Sequence, residues 1–175
     1  MKIAILLADG FEELEALTPI DILRRAGAEV DTIAIKNSTV CGAHGIKVIA
    51  DILADEADVN AYGAVIFPGG MPGAKNLDES PFTDKIIDSV LKRGGHLAAI
   101  CAAPLVLGHR GILKGKKATC FPGFENELYG AVKIDRNVVT DANVTTASGM
   151  PAAMDFAKEL TALLVSDEAV NKIFG

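Results

Sequence analysis

The chain has 175 residues, half of them hydrophobic, with 17 Lys+Arg against 23 Asp+Glu and a formal net charge of −6. At roughly 150 residues per domain this predicts one domain over residues 1–175, and the apolar content excludes a disordered chain. The negative charge argues against nucleic acid, which needs a clustered positive field; the only basic knots are Arg24-Arg25 and Lys114-Gly115-Lys116-Lys117.

The elements follow in chain order. Lys2 to Leu7 is a near-continuous apolar strand, as expected where both sheet faces are covered. Its apolar run ends at Asp9 and the acids of Phe11-Glu12-Glu13-Leu14-Glu15, too early and too acidic for a signal peptide. The first helix reads in two ways. Thr18-Pro19-Ile20-Asp21 has the form of a cap with a first-turn proline, yet Leu14, Leu17 and Ile20 already keep helical phase. A continuous helix would be kinked at Pro19, which cannot donate to the carbonyl of Glu15, and would hold Glu15 on its first turns. After the Gly27 stop, Glu29 to Ile35 is a second strand, and Ser38 to Ala50 reads as a hairpin around Gly42 and Gly45. Ala64 to Phe67 is a buried strand stopped by Pro68-Gly69-Gly70. Ser80-Pro81 is a cap and first-turn proline; Phe82, Ile86, Ile87, Val90 and Leu91 then keep helical spacing until Gly94-Gly95. Leu97 to Ile100 is a strand, followed at once by a helix over Ala102 to Leu107. The apolar run Leu97 to Gly108 is about a dozen residues, short of the ~20 needed to cross a bilayer. Val138 to Thr140 and Val144 to Thr146 are late strands. Pro151 opens a final helix with Met154, Ala157, Leu160, Leu163 and Leu164 on its buried side. Strands alternating with amphipathic stretches predict βα units and a parallel sheet.

The three cysteines, at 41, 101 and 120, form no disulfide framework, and only Cys41 and His44 have ligand-like spacing. No metal or organic cofactor is expected. Free thiols and the absence of a leader or membrane span point to the cytoplasm.

In an open α/β sheet, ligands bind beyond the carboxyl ends of the strands. Three segments fall there: Asp9 to Glu15, Pro68 to Gly73, and Cys101 to Pro104. Cys101 lies between a strand and a helix among small residues, the form of a nucleophile elbow, where the helix N-terminus favours thiolate. The alternative is a buried, inert cysteine. Pro68-Gly69-Gly70 is either an ordinary turn or a source of backbone N–H groups for an oxyanion; it is neither a Walker loop nor a dinucleotide fingerprint. Of the acids at 12, 13 and 15, at least one must face the crevice, and a carboxyl buried beside a thiolate would have its pKa raised. A solvated acidic helix start fits the other two.

Four segments carry a resemblance: Ala8 to Glu15, Pro19 to Gly27, Phe67 to Ala74, and Ala98 to Pro104. In these the chain resembles the ThiJ/PfpI superfamily, most of all the branch of the parkinsonism-associated protein deglycase and the YajL-like bacterial proteins. The resemblance implies a flavodoxin-like three-layer α/β sandwich with a mainly parallel sheet and a strand-to-helix nucleophile elbow, forming homodimers. It makes Cys101 the reactive, oxidation-prone cysteine and Glu15 its protonated partner. Gly70 and Ala102 become the backbone donors, Arg25 one of an anion-binding group, and Cys41 a neighbour of the dimer contact. Some positions depart from the pattern. Phe121 precedes Pro122 where the human-like branch has histidine, and Ala102 stands where peptidase-type members carry histidine. Arginines are replaced near His44 and at Gly149, and a long terminal helix beyond Phe174 is missing. Of the three histidines, His96 begins a strand at the wrong end of the sheet and His109 lies past the buried turns of its helix. His44 in the hairpin reaches a site only across a dimer contact.

The resemblance implies glutathione-independent glyoxalase or deglycase chemistry on small aldehydes or glycated adducts, with Cys101 as nucleophile and Glu15 as general acid and base. The alternative is a redox-sensing stress protein or chaperone acting through Cys101 oxidation. A cysteine peptidase is a minor third, since no base stands beside the thiol. Neither nucleic acid nor membrane is expected as a partner.

Overall fold

A computed structural model describes residues 1–175. Strand β1 (Lys2–Leu7) leads into helix α1 (Glu13–Arg25) and strand β2 (Glu29–Ala34). A hairpin of β3 (Thr39–Cys41) and β4 (Lys47–Ile49) follows, then the short β5 (Ile52–Leu53) and β6 (Tyr62–Phe67). Helices α2 (Gly73–Asp78) and α3 (Pro81–Lys92) precede β7 (His96–Ile100) and α4 (Pro104–His109). The last third holds β8 (Lys117–Ala118), β9 (Val132–Lys133), β10 (Val138–Asp141), β11 (Val144–Ala147), α5 (Ala153–Leu164) and α6 (Asp167–Phe174).

Seven strands form one sheet in the order β10-β11-β7-β6-β1-β2-β5. Every pairing in it is parallel except β10 with β11. Successive side chains of a strand point to opposite faces, so alternate residues separate into two cores. Ala4, Leu6, Val65, Phe67, Leu97 and Ala99 face a core completed by Leu77 of α2, Ile86, Ile87 and Val90 of α3, and Val106 of α4. Ile3, Ile5, Leu7, Ile66, Ala98 and Ile100 face the other, completed by Ala16, Ile20 and Leu23 of α1 and Phe156 and Leu160 of α5. This is the three-layer α/β architecture that the resemblance implied, and it explains the unbroken apolar runs of β1, β6 and β7.

Several elements differ from the sequence reading. Helix α1 is continuous and starts at Glu13, not at Pro19. Glu12 is its cap and accepts the Glu15 N–H at 2.7 Å. The burial of Ala16, Ile20 and Leu23 outweighs the hydrogen bond that Pro19 cannot make. Helix α4 starts at Pro104, because residues 101–103 form the elbow itself and a proline at the first helical position needs no N–H. Ser80 occupies the cap position of α3, but its side chain makes no cap bond. Pro151 belongs to a short 3-10 turn, Met150–Ala152, and α5 begins after it. The buried face of α5 is Ala153, Phe156, Ala157, Leu160 and Thr161, with Leu164 packed at its edge; Ala157 and Leu160 are buried as predicted, while Met154 and Leu163 are exposed. Helix α6, capped by Ser166, follows α5 and was not anticipated. The two-residue strands β5, β8 and β9 are too short to show a period.

The two faces of α5 give a direct check. Leu160→Ala opens a cavity under α1 and is expected to cost about 2–5 kcal/mol. Met154→Ala is expected to cost under about 1 kcal/mol, both read from urea unfolding midpoints.

Candidate active site

The sheet reverses its direction of growth at β1: β2 and β5 extend it one way, and β6, β7 and β11 the other. The crevice beyond the carboxyl ends of β1, β6 and β7 lies at this switch point. The loops leaving these strands are laced together. Glu12 N–H donates to Gly69 O at 2.9 Å, and Gly73 N–H to Gly10 O at 3.2 Å. The Cys101 N–H donates to Ala147 O at 2.9 Å, and its carbonyl accepts from Phe121 N–H at 2.8 Å.

Cys101 leaves β7 with φ 64°, in the left-handed region that side chains other than glycine seldom adopt. A conformation of this kind costs on the order of 1–3 kcal/mol and persists where its surroundings impose it. Here the two backbone bonds to Ala147 and Phe121 hold it. The bend is the nucleophile elbow expected from the small residues around position 101. The backbone N–H groups of Gly70 and Ala102 face the sulfur and favour its anion.

Glu15 is fully buried. Its Oε2 accepts the Gly69 N–H at 3.0 Å, whereas Oε1 is buried without a hydrogen bond of good geometry. Gly69 lies against both acid and thiol. A Cβ there would lie 2.5 Å from Glu15 Oε2 and 2.6 Å from Cys101 Cβ. Gly70 has φ 84°, and a side chain on it would overlap the Glu12 amide and the Gly10 carbonyl. Burial pushes the Glu15 carboxyl up to about 7, against a lowering contact with Cys101. Burial, then the facing Glu15 charge, push the Cys101 thiol up to about 12, against the two N–H groups. Acid and thiol are one titrating pair. When Glu15 carries the proton, the like charge that opposes the thiolate vanishes, and the carboxyl becomes a donor to sulfur. The helix N-terminus alone, as read from the sequence, is therefore too simple an account of this thiol.

Two acids of the α1 start are buried, not one. Glu13 accepts the His44 N–H at 2.7 Å and pairs with His44 Nδ1 at 2.7 Å. Burial opposes its charge, but the His44 bonds prevail and hold its carboxyl below the usual range. They also tie the β3–β4 hairpin to α1. Glu12, Glu13 and His44 stand close enough together to share a cation, although Glu13 is already satisfied by His44. His96 bonds Thr145 Oγ1 at 2.8 Å, and His109 lies between Asp78 and Glu127 at 2.7 and 2.9 Å. None of the three imidazoles reaches the thiol.

Cys101, Glu15, Gly70 and Ala102 thus converge. Arg25 does not. It lies almost three turns along α1 from Glu15, roughly 15 Å away, on the exposed surface, and donates to Asp21 at 2.7 Å. Its partner there is the i−4 acid Asp21, away from the group that converges on Cys101. Cys41 is half-buried in the hairpin, its N–H bound to Asp9 at 2.8 Å. Cys120 is buried, and its thiol is pushed up to about 11 by burial. The sequence reading did not single out the exposed residues beside the site, Met71 and Met150, since a lone methionine carries no pattern.

An open parallel sheet bearing a cysteine on a strained strand-to-helix bend defines a flavodoxin-like α/β protein with a nucleophile elbow. The chain belongs to the DJ-1/PfpI family, whose model matches residues 1–163. It is 32% identical to the Drosophila melanogaster protein dj-1beta over 173 residues, 97% of this chain and 92% of that one. It is 35% identical to a deglycase of Thermococcus kodakarensis over 146 residues, 82% and 87% of the two chains. DJ-1 homolog B of Arabidopsis thaliana is 38% identical over 158 residues, 89% of this chain; these residues span about a third of that longer relative, 36%. The crystal structure of a cysteine-to-alanine mutant of a Salmonella typhimurium DJ-1 superfamily protein superposes with a TM-score of 0.92 at 35% identity, covering 98% and 95% of the two chains. Oxidized Toxoplasma gondii DJ-1 gives 0.92 at 34% identity with the same coverage.

The raised Glu15 carboxyl links the site to stability. Its folded pKa of about 7 lies above its unfolded value near 4.5, so its contribution is fully present below pH 4.5 and is lost as pH rises through 7. Measured against Glu15→Gln, the wild type is expected to lose about 3 kcal/mol of unfolding free energy between pH 4.5 and pH 8. A difference that stays flat with pH would mean that Glu15 ionises normally.

Proposed function

We propose that this protein is a glutathione-independent enzyme of reactive-carbonyl chemistry, of glyoxalase or deglycase type, with Cys101 as nucleophile and Glu15 as general acid and base. The observation that carries this reading is the buried carboxyl set against the thiol beside Gly69, with two N–H groups on the sulfur. Deglycase is also the name of several archaeal relatives, including the one from Thermococcus kodakarensis.

For methylglyoxal, the sulfur of Cys101 adds to the aldehyde carbon. The thiol proton passes to Glu15 and from there to the carbonyl oxygen, giving a hemithioacetal. Glu15 then takes the proton from the former aldehyde carbon and returns it to the neighbouring carbon, which converts the adduct to a thioester. Water cleaves the thioester, releasing lactate and regenerating the thiol; glyoxal gives glycolate in the same way. The Gly70 and Ala102 N–H groups hold the oxygen while it is negative. A carboxyl with its pKa near 7 is suited to a step that both takes and gives a proton. On the hemiaminal of methylglyoxal and an amine, the sulfur forms its bond to the carbinol carbon as the C–N bond breaks, Glu15 protonates the departing amine, and the same hemithioacetal then follows the same proton shuttle. No step calls for a metal, and residues 1–175 act as one domain.

Loss of methylglyoxal with many turnovers per chain is expected for wild type, with at least about a hundredfold loss in Cys101→Ser and in Glu15→Ala. Consumption that stops at one equivalent per thiol would defeat the reading.

The same geometry favours a second reading, a redox-responsive protein. Two amides and a protonated carboxyl at one sulfur would hold a sulfinate, formed from the thiolate by two equivalents of peroxide. Cys41 and Cys120 have no such surroundings. Peroxide titration with peptide mass mapping should oxidise Cys101 well before the other two; equal oxidation of all three counts against it.

A homodimer fits the exposed apolar residues at one corner: Leu14 opening α1, and Ile46 and Ile49 on the hairpin that Glu13 ties to that helix. Leu14→Arg is expected to shift the sedimentation coefficient from dimer to monomer.

A further inference from the structure

The surroundings of Cys101 are unusual for a polar reaction centre. Phe121 is 44% exposed, although its backbone N–H is bound to the carbonyl of Cys101 itself at 2.8 Å. The ring is therefore anchored to the nucleophile's own peptide and yet left open to solvent. Gly149 lies between ring and sulfur: a Cβ built on it would stand 3.1 Å from Phe121 Cδ2 and 3.9 Å from Cys101 Sγ. The glycine leaves a slot there with an aromatic wall on one side and the thiol on the other.

The residues next to the amides of this site repeat the theme. Met71 follows Gly70 and is 48% exposed; Met150 follows Gly149 and is 46% exposed. The charged side chains acting on the pair are acids, Glu12 on Glu15 and Glu15 on the sulfur. Arg25 lies away from this site, bound to Asp21. The ring and the slot beside Gly149 give the thiol an apolar side, and the charges acting on the pair are negative.

We propose that Phe121, Met71 and Met150 form the specificity surface of the Cys101 site, and that it selects neutral carbonyl compounds with an apolar alkyl or aryl substituent over small polar or anionic ones. This rests on the carbonyl reading above for the reaction, but not for the recognition. Phe121 is the specificity-determining residue: the substituent packs on its ring inside the slot that Gly149 leaves. Losing one apolar wall of a pocket changes discrimination by about 10- to 200-fold.

The test compares phenylglyoxal with glyoxal. In wild type, kcat/KM favours phenylglyoxal. In Phe121→Ala this preference falls by about tenfold or more, and Phe121→Tyr, which keeps the ring, retains it. An unchanged preference in Phe121→Ala overturns the proposal. A second readout needs no turnover: the alkylation rate of Cys101 by N-benzyl iodoacetamide, by iodoacetamide and by iodoacetate, each relative to free cysteine and followed by peptide mass. The expected order is benzyl amide, amide, then acid, with the benzyl advantage lost in Phe121→Ala and kept in Phe121→Tyr. Should wild type turn over no carbonyl at all, the enzyme reading fails and the alkylation order alone decides. Equal relative rates for the three reagents, or a benzyl advantage that survives Phe121→Ala, overturn the specificity surface.

Discussion

A carboxyl and a thiol share one water-poor site, and the placement of everything around them serves that contact. Neither group is comfortable as an anion when buried, and the two together repel. Their closeness is possible because Gly69 lies against both without a side chain to intrude and gives its N–H to the acid. The pair therefore acts as a unit. A proton on Glu15 removes the charge that suppresses the thiolate, and a proton on sulfur finds an acceptor in the carboxylate. Such a pair holds a proton in reserve and returns it to the same place after a reaction.

The sheet makes this contact possible. Acid, glycine turn and thiol come from the loops after β1, β6 and β7, which are far apart in sequence and adjacent in the sheet. Parallel pairing aligns their carboxyl ends at one edge. The cross-links from Glu12 to Gly69, Gly10 to Gly73 and Cys101 to Ala147 then fix the loops relative to one another. The positive φ of Cys101 is strain stored in that lattice, where the surrounding bonds over-determine it.

Much of this was legible in the chain. Strands covered on both faces read as apolar runs, so β1, β6 and β7 stand out, and the loops after them offer an acid cluster, a glycine turn and Cys101; the choice of Glu15 and Gly70 comes from the resemblance. What failed did so for physical reasons. On α5, Met154 and Leu163 are hydrophobic yet exposed beside the buried Ala157 and Leu160, and composition cannot say which apolar residues the core has room for. Pro19 was ambiguous because a tertiary contact can override a missing hydrogen bond. Arg25 enters by resemblance alone, and no local pattern places it relative to the thiol. The second buried acid, Glu13, depends on His44 some thirty residues on, a pairing that no local pattern contains.

The absent imidazole favours the proposed carbonyl chemistry over amide hydrolysis. Amide hydrolysis through a thiolate–imidazolium pair needs a cation beside the sulfur that then protonates a departing amine. Here the sulfur faces an acid on one side and an apolar ring on the other, and the three histidines are bound to Glu13, Thr145, Asp78 and Glu127. Addition to an aldehyde makes smaller demands. In the proposed reaction the thiol proton goes to the carbonyl oxygen and the carbon-bound proton to the neighbouring carbon, both by way of one acid/base group. A carboxyl whose pKa is raised by burial meets that demand without a second titrating partner.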